Sequence, residues 1–171
     1  EPARGTLDRR QGPLEDLEVT TTNPDPGFWR GKRVLVTGHT GFKGGWLALW
    51  LQSMEAKVCG LALVPPTTPA LFDIAKIGTG MQHHIVDVRD VDGVRSVVAA
   101  FQPEVVFHLA AQPLVRASYQ QPLLTYATNV MGTAHVLEAA RQAGSVQAIV
   151  NVTTDKCYDN REQDAGYRET D

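Results

Sequence analysis

Residues 32–46, KRVLVTGHTGFKGGW, constrain this chain more than any other stretch. The β-branched run Val34, Leu35, Val36 empties into Gly38-x-x-Gly41-x-x-Gly44, and an apolar helical pattern follows at once. That order reads as buried strand, glycine turn, helix. A diphosphate can rest on the free amides of a helix N-terminus only if no side chain holds it away. Gly38 and Gly41 allow the tight turn and the close approach, and Gly44 lets the helix press against the strand. Phe42 and Lys43 open the helix beside the expected diphosphate. The stretch therefore predicts a dinucleotide site.

The rest of the chain falls into line with that unit. Residues 57–63 (KVCGLAL), 84–88 (HIVDV), 105–111 (VVFHLAA) and 148–152 read as further strands. Val94, Val97, Val98 and Phe101 repeat at i, i+3, i+4, i+7, which predicts an amphipathic helix over 91–101, capped by Asp90 and closed by Pro103. Residues 122–143 read as one long helix with Pro122 near its start and Gly144 past its end. The stripe Trp46, Leu47, Leu49, Trp50, Leu51 and Met54 predicts core packing rather than an aromatic ligand platform. Strands alternating with helices imply an α/β fold, a Rossmann-like doubly wound parallel sheet in the order 3-2-1-4-5. Ligands of such sheets bind at the C-terminal strand ends. The fifth strand delivers Thr153, Thr154, Asp155 and Lys156 to that edge. From spacing alone those residues fit a helix cap and a surface ion pair equally well.

Composition narrows the partners. The 171 residues suit one domain with a sizeable core, and 16 basic against 19 acidic residues leave no footprint for nucleic acid or an anionic membrane. No apolar run reaches the roughly 20 residues of a bilayer span. Two distant cysteines, Cys59 and Cys157, fit a reducing cytoplasmic compartment. Residues 1–27 mix Pro, Gly, Thr and both charges without apolar periodicity and are expected to form a disordered tail; Phe28 and Trp29 would staple the chain to a domain over 28–171. Adjacent His83 and His84 point to opposite faces of a strand, so they do not chelate one metal together. Asp87 could accept from an adenine amino group or serve as a turn carboxylate. An acidic residue to grip the adenosine ribose is missing after the second strand, where Leu63, Val64, Pro65 and Pro66 stand; Lys43 could favour a 2′-phosphate. The loop alone leaves NAD and NADP open.

With the glycine turn, His108-Leu109-Ala110-Ala111-Gln112 and Thr154-Asp155-Lys156 placed, the chain resembles the extended short-chain dehydrogenase/reductase family. It is most similar to the nucleotide-sugar 4,6-dehydratases acting on CDP-glucose, through FWRGKRVLVTGHTGFKGGWL, VVFHLAAQPLVRASYQQP, NVMGT and VTTDKCYDNRE. Related dehydratases of dTDP-glucose and GDP-mannose carry Asp-Glu or Ser-Glu type pairs where this chain has Asp155-Lys156. The resemblance implies conversion of CDP-glucose to a 4-keto-6-deoxy sugar on bound NAD, for deoxysugar and surface polysaccharide synthesis. It implies that Thr154 bonds the C4 oxygen, Asp155 protonates the leaving C6 hydroxyl and Lys156 occupies the C5 base position. It further implies that Gly38, Gly41 and Gly44 hold the diphosphate, that Asp87 and Val88 frame the adenine, and that Leu109, Ala110 and Ala111 line the nicotinamide ribose channel. Asn129 would anchor the active-site water network, and the whole protein would be a homodimer or tetramer paired through helix 122–143.

One departure matters. The family's Tyr-x-x-x-Lys pair has no counterpart, since Tyr119, Tyr126, Tyr158 and Tyr167 are followed four residues on by Leu123, Val130, Glu162 and Asp171. The chain is therefore expected to be a partial one, stopping before the tyrosine helix and the substrate domain. Alone it should bind dinucleotide without turnover and should expose its fifth strand as a bare edge. A non-catalytic dinucleotide-binding module and another extended reductase or epimerase are the competing readings. Asp155-Lys156 counts against an epimerase, which needs no acid for a C6 hydroxyl.

Overall fold

The computed structural model describes residues 24–154, 157–159 and 166–168. At its centre, strand β1 (Arg33–Thr37) pairs in parallel with β2 (Lys57–Ala62) on one side and β4 (Val105–His108) on the other. β3 (Gln82–Ile85) and β5 (Ala148–Asn151) complete five strands in the order β3-β2-β1-β4-β5. A parallel sheet must be covered on both faces, which is why β1 carries no polar alternation: Val34, Leu35 and Val36 are all fully buried. Val34, Val36, Val58 and Val105 pack on one face with Ala48 and Leu51 of α2 (Phe42–Ser53), together with Phe72 and Ile77. Leu35, Cys59, Leu61 and Val106 pack on the other with α4 (Val91–Phe101) and α7 (Gly132–Ala143).

The helix ends follow their local chemistry. Asp90 caps α4 by accepting from the Gly93 amide at 3.1 Å, and Gln102 ends it in the left-handed region just before Pro103. Val94, Val97 and Val98 are its buried stripe, each contributing about 1.5–3 kcal/mol. Gly144, at φ +67°, ends α7. The short α1 (Pro26–Trp29) is capped by Asp25 and lies in the compact unit Pro24–Thr153. Trp29 does staple it, packing 6.0 Å from the Phe107 ring. Residues 1–23 of the expected tail lie outside the described residues.

Four expectations are corrected. β3 sits earlier than 84–88, which leaves Asp87 and Val88 beyond the strand rather than in it. β4 stops at His108, so residues 109–111 form a loop. The span 122–143 is not one regular helix: α6 (Pro122–Tyr126) passes through a π-helical turn (Ala127–Met131) into α7, and a further helix, α5 (Val115–Gln120), precedes it. On α2 the expected core stripe holds for Leu51 and Met54, with Leu47 and Leu49 packed against them, but Trp46 and Trp50 are about half exposed and Gly44, Gly45 and Ala48 complete the buried face. The helix lies so close to the turn and the sheet that only small residues fit between them, and the indoles are left outside. α3 (Leu71–Ile74) and a 3₁₀ turn (Ile77–Gly80) fill the connection to β3. β5 is an edge strand of this sheet, with Ile149 and Val150 partly exposed.

Beyond this unit, Thr154, residues 157–159 and residues 166–168 belong to a second one, in which Tyr158 stacks on Tyr167 with ring centroids 5.0 Å apart. Among the described residues no helix is long and apolar enough to cross a membrane.

Candidate functional site

The glycine turn is built by contact between backbones. Gly38 takes φ +76°, and a Cβ there would lie 2.9 Å from the Ala110 amide nitrogen. The loops after β1 and β4 therefore touch, and only glycine satisfies both the conformation and the gap. A Cβ on Gly44 would lie 2.2 Å from the Gly38 carbonyl oxygen. Gly44 thus lets α2 press on the turn itself, not on the strand as its spacing suggests. Gly41 plays the quieter part of N-cap in extended backbone, its amide donating to the Gly38 carbonyl at 3.0 Å. No side chain caps α2 and no acidic residue stands in its first turn. The turn that starts with Phe42, Lys43 and Gly44 is a cradle suited to an anion. Phe42 is 73% exposed and Lys43 is exposed beside it.

Two neighbours hold the turn from below. Thr40 donates its hydroxyl to the Leu63 carbonyl at 2.9 Å, tying the turn to the end of β2. His39 is fully buried with neither ring nitrogen hydrogen-bonded, its ring edge-on to Phe72 at 5.3 Å and tilted against His83 at 5.8 Å. Burial above all, with His83 and His84 adding to it against a weaker pull from the Leu61 carbonyl, lowers the His39 imidazole to about 4. A Cβ on Gly60 would come within 2.4 Å of this ring, so Gly60 is the place in β2 that admits it. A glycine inside a strand signals such an approach, and sequence reasoning missed this cue to the buried His39. His83 and His84 occupy successive positions of β3 and face opposite sides of the sheet, as their adjacency requires.

The expected adenine residues lie past β3. Asp87 accepts from the Arg89 backbone amide at 2.9 Å and from its guanidinium through both carboxylate oxygens. That pairing, led by the side-chain hydrogen bonds, holds the Asp87 carboxyl below the usual carboxylate range. The carboxylate is a turn carboxylate paired to Arg89. Val88 is buried against Gly132, and its carbonyl accepts from His135 Nδ1 at 2.9 Å.

Across the turn, the loop 109–112 is held at several points. The amides of Leu109 and Ala110 each donate to Thr37 Oγ1 at 3.1 Å. Asn129, in the π-helical turn, accepts from the Gln112 amide at 2.7 Å and donates to its carbonyl at 3.1 Å. The extra residue of a π turn re-aims a side chain, and here it sets Asn129 at a loop 17 residues upstream. Ala111 is exposed between these anchors. The structure therefore brings Gly38, Gly41, Phe42, Lys43, Gly44, Leu109, Ala110 and Ala111 to one edge of the sheet. Thr154 falls in the second unit, and Asp155 and Lys156 lie outside the described residues. Sequence reasoning missed Thr37, whose hydroxyl joins the two loops; a threonine ending an otherwise apolar strand was the available cue.

Comparison with known proteins agrees with this geometry. Over 147 residues the chain is 59% identical to a CDP-glucose 4,6-dehydratase of Salmonella typhimurium, covering 86% of this chain and 41% of that protein. A Thermus thermophilus UDP-glucose 4-epimerase solved in complex with NAD superposes with a TM-score of 0.59 at 34% identity, over 66% of this chain and 35% of that one. A Stenotrophomonas maltophila UDP-glucose 4-epimerase with bound NAD and formylated UDP-arabinopyranose gives 0.69 at 25% identity, over 78% and 40%. The chain thus spans about two fifths of the length of the curated relative. The family model for GDP-mannose 4,6 dehydratase matches residues 35–171, and from β1 onward this chain belongs to that family.

Proposed function

We propose that this chain is the dinucleotide-binding part of a nucleotide-sugar 4,6-dehydratase that takes CDP-glucose and keeps NAD as its cofactor in the cytoplasm. The observation that carries the reading is the cradle. Gly38 and Gly44 leave no room for a Cβ, and an uncapped 12-residue helix starts between them. Such a site fits a diphosphate. The 59% identity to a CDP-glucose 4,6-dehydratase supports the substrate, and the NAD-bound relatives support the cofactor.

Gly38, Gly41 and Gly44 would hold the diphosphate, and Leu109 to Ala111 would flank the nicotinamide ribose. When bound, a nicotinamide ring accepts a hydride and returns it, so no net oxidation results. The base that takes the C4 hydroxyl proton as the hydride leaves would come from the tyrosine–lysine pair that this sequence does not contain, and the chain's own residues would supply the proton transfers of the elimination. Elimination of water across C5 and C6 needs a group to remove the C5 proton and an acid for the departing hydroxyl. Thr154 would hydrogen-bond the C4 oxygen, Asp155 would donate the proton to the leaving hydroxyl and Lys156 would receive the C5 proton. Lysine serves as a base only when burial or a neighbouring cation lowers its pKa. Past β2 the corner for the adenosine ribose is apolar, with Leu63 and Val64 exposed. The choice of NAD therefore rests on the NAD-bound relatives and not on this corner.

The test is calorimetric titration with NAD and NADP, followed by mass spectrometry of CDP-glucose incubated with the protein carrying its complete active site. NAD binding and a product lighter by one water are expected. Failure to bind either dinucleotide at millimolar concentration would overturn the reading; tighter NADP binding would overturn the cofactor choice.

A further inference from the structure

His108 ends β4 at 2% exposure, and both of its ring nitrogens reach a hydroxyl: Nδ1 lies 2.7 Å from Thr37 Oγ1 and Nε2 lies 3.0 Å from Thr133 Oγ1. The surrounding bonds decide where its proton sits. Thr133 Oγ1 is 2.7 Å from the Asn129 carbonyl, which can only accept, so the Thr133 hydroxyl proton points there. Toward Nε2 the same oxygen can then only accept, and Nε2 must carry a proton. On the other side, Thr37 Oγ1 already receives the amides of Leu109 and Ala110, which occupy both of its lone pairs. Its own proton has one acceptor left, Nδ1, which must be bare. Two independent sets of bonds thus demand the same neutral tautomer.

We propose that His108 is a positioning residue. Locked as the Nε2–H tautomer between Thr37 and Thr133, it holds the loop 109–112 in the shape that receives the nicotinamide half of a dinucleotide. The inference rests on the dinucleotide reading above. The loop is fastened at Leu109 and Ala110 through Thr37, and at both backbone atoms of Gln112 through Asn129. Asn129 is in turn tied through its carbonyl to Thr133, the hydroxyl that His108 engages. One imidazole therefore joins both ends of a four-residue loop, across 71 residues to Thr37 and 25 to Thr133. The loop also abuts the Gly38 turn, so its position sets the gap between the two halves of the site. A second proton on the ring would face the Thr37 hydroxyl donor to donor and force that oxygen to release a loop amide. Burial alone acts on this imidazole, and it favours the neutral form. Pre-organisation of this kind lowers the ordering cost of binding.

The experiment has two readouts on the intact chain. Two-bond ¹H–¹⁵N NMR of histidine-labelled protein without ligand should show His108 as the Nε2–H tautomer at pH 7.5, and the Nδ1–H form or a mixture would overturn the assignment. NAD titration should show Thr37→Val or Thr133→Val binding at least fivefold more weakly, with Thr37→Ser or Thr133→Ser recovering most of the loss. The Thr133 pair covers the case in which Thr37→Val does not fold. Folded valine variants that bind NAD as the parent does would overturn the positioning role alone. A parent that binds no dinucleotide, with the tautomer as assigned, would overturn the dinucleotide reading and this role with it.

Discussion

Adjacent glycines of α2 should respond to alanine to different degrees. At Gly44 a Cβ would lie 2.2 Å from the Gly38 carbonyl oxygen and 2.7 Å from its carbon, both backbone atoms of a turn that has no slack. Relief requires moving the helix start by about 1 Å, and overpacking of that kind costs about 1–3 kcal/mol. Against it stands the helix preference for alanine, worth up to about 1 kcal/mol. At Gly45 the nearest atoms are the Ile77 Cδ1 at 3.1 Å and the Leu71 Cδ2 at 3.3 Å, the ends of flexible side chains. They can give way by a few tenths of an ångström, and the helix preference then offsets the strain. Gly44→Ala should therefore lower stability by about 1–2 kcal/mol, and Gly45→Ala should stay within about 1 kcal/mol of the parent. With a urea slope of about 2 kcal/mol/M the first change moves the midpoint down by about 0.5–1 M. Equilibrium urea unfolding followed by far-UV circular dichroism measures both. Equal midpoints for the two variants, or a more stable Gly44→Ala, would refute the backbone-contact argument.

Acid should destabilise this fold through His39. Its folded pKa of about 4 is below the unfolded value, so the unfolded chain binds more protons between about 4 and 6.5. Stability is full above about 6.5 and falls as pH drops through that window, by on the order of 3 kcal/mol in all. His39→Phe should flatten most of this slope in urea titrations at stepped pH, and the buried His108, also lowered, acts in the same direction. Leu35→Ala, at a fully buried position of the central strand, should cost about 2–5 kcal/mol by the same method. Trp50→Gln, on the outward side of α2, should change stability by less than about 1 kcal/mol, whereas a core indole would cost several times more. Asp87→Asn should shift stability by no more than about 1 kcal/mol, since the Arg89 pair is partly exposed.

Strand order, the helices α2 and α4 and the glycine cradle were legible because each rests on a local pattern. The Val34–Val36 run, the i, i+3, i+4, i+7 valines of α4 and the spacing of Gly38, Gly41 and Gly44 each constrain their own neighbourhood. What was illegible depends on partners far away in the chain. Trp46 and Trp50 look like core by hydrophobicity, and only the closeness of α2 to the Gly38 turn shows that small residues take the inner face. The π turn has no local cue, because its reason is the hydrogen bond between Asn129 and Gln112. β3 was displaced because Ile85, Val86 and Val88 suggest a strand, while pairing with β2 is made by Gln82 to Ile85. Asp87, read both ways from spacing, has a turn bond to Arg89 two residues on that its spacing did not reveal.

The central place of β1 has a consequence in time. One of its edges waits for β4, whose His108 lies 71 residues after Thr37. At synthesis rates of about 5–20 residues per second, that interval lasts roughly 4–14 s. Throughout it a ribosome-bound chain carries a finished apolar strand with one side unpaired. Early pairing with β2 leaves the other edge of β1 open until β4 arrives. Chaperone demand on this chain should accordingly be greatest before residue 108 has emerged.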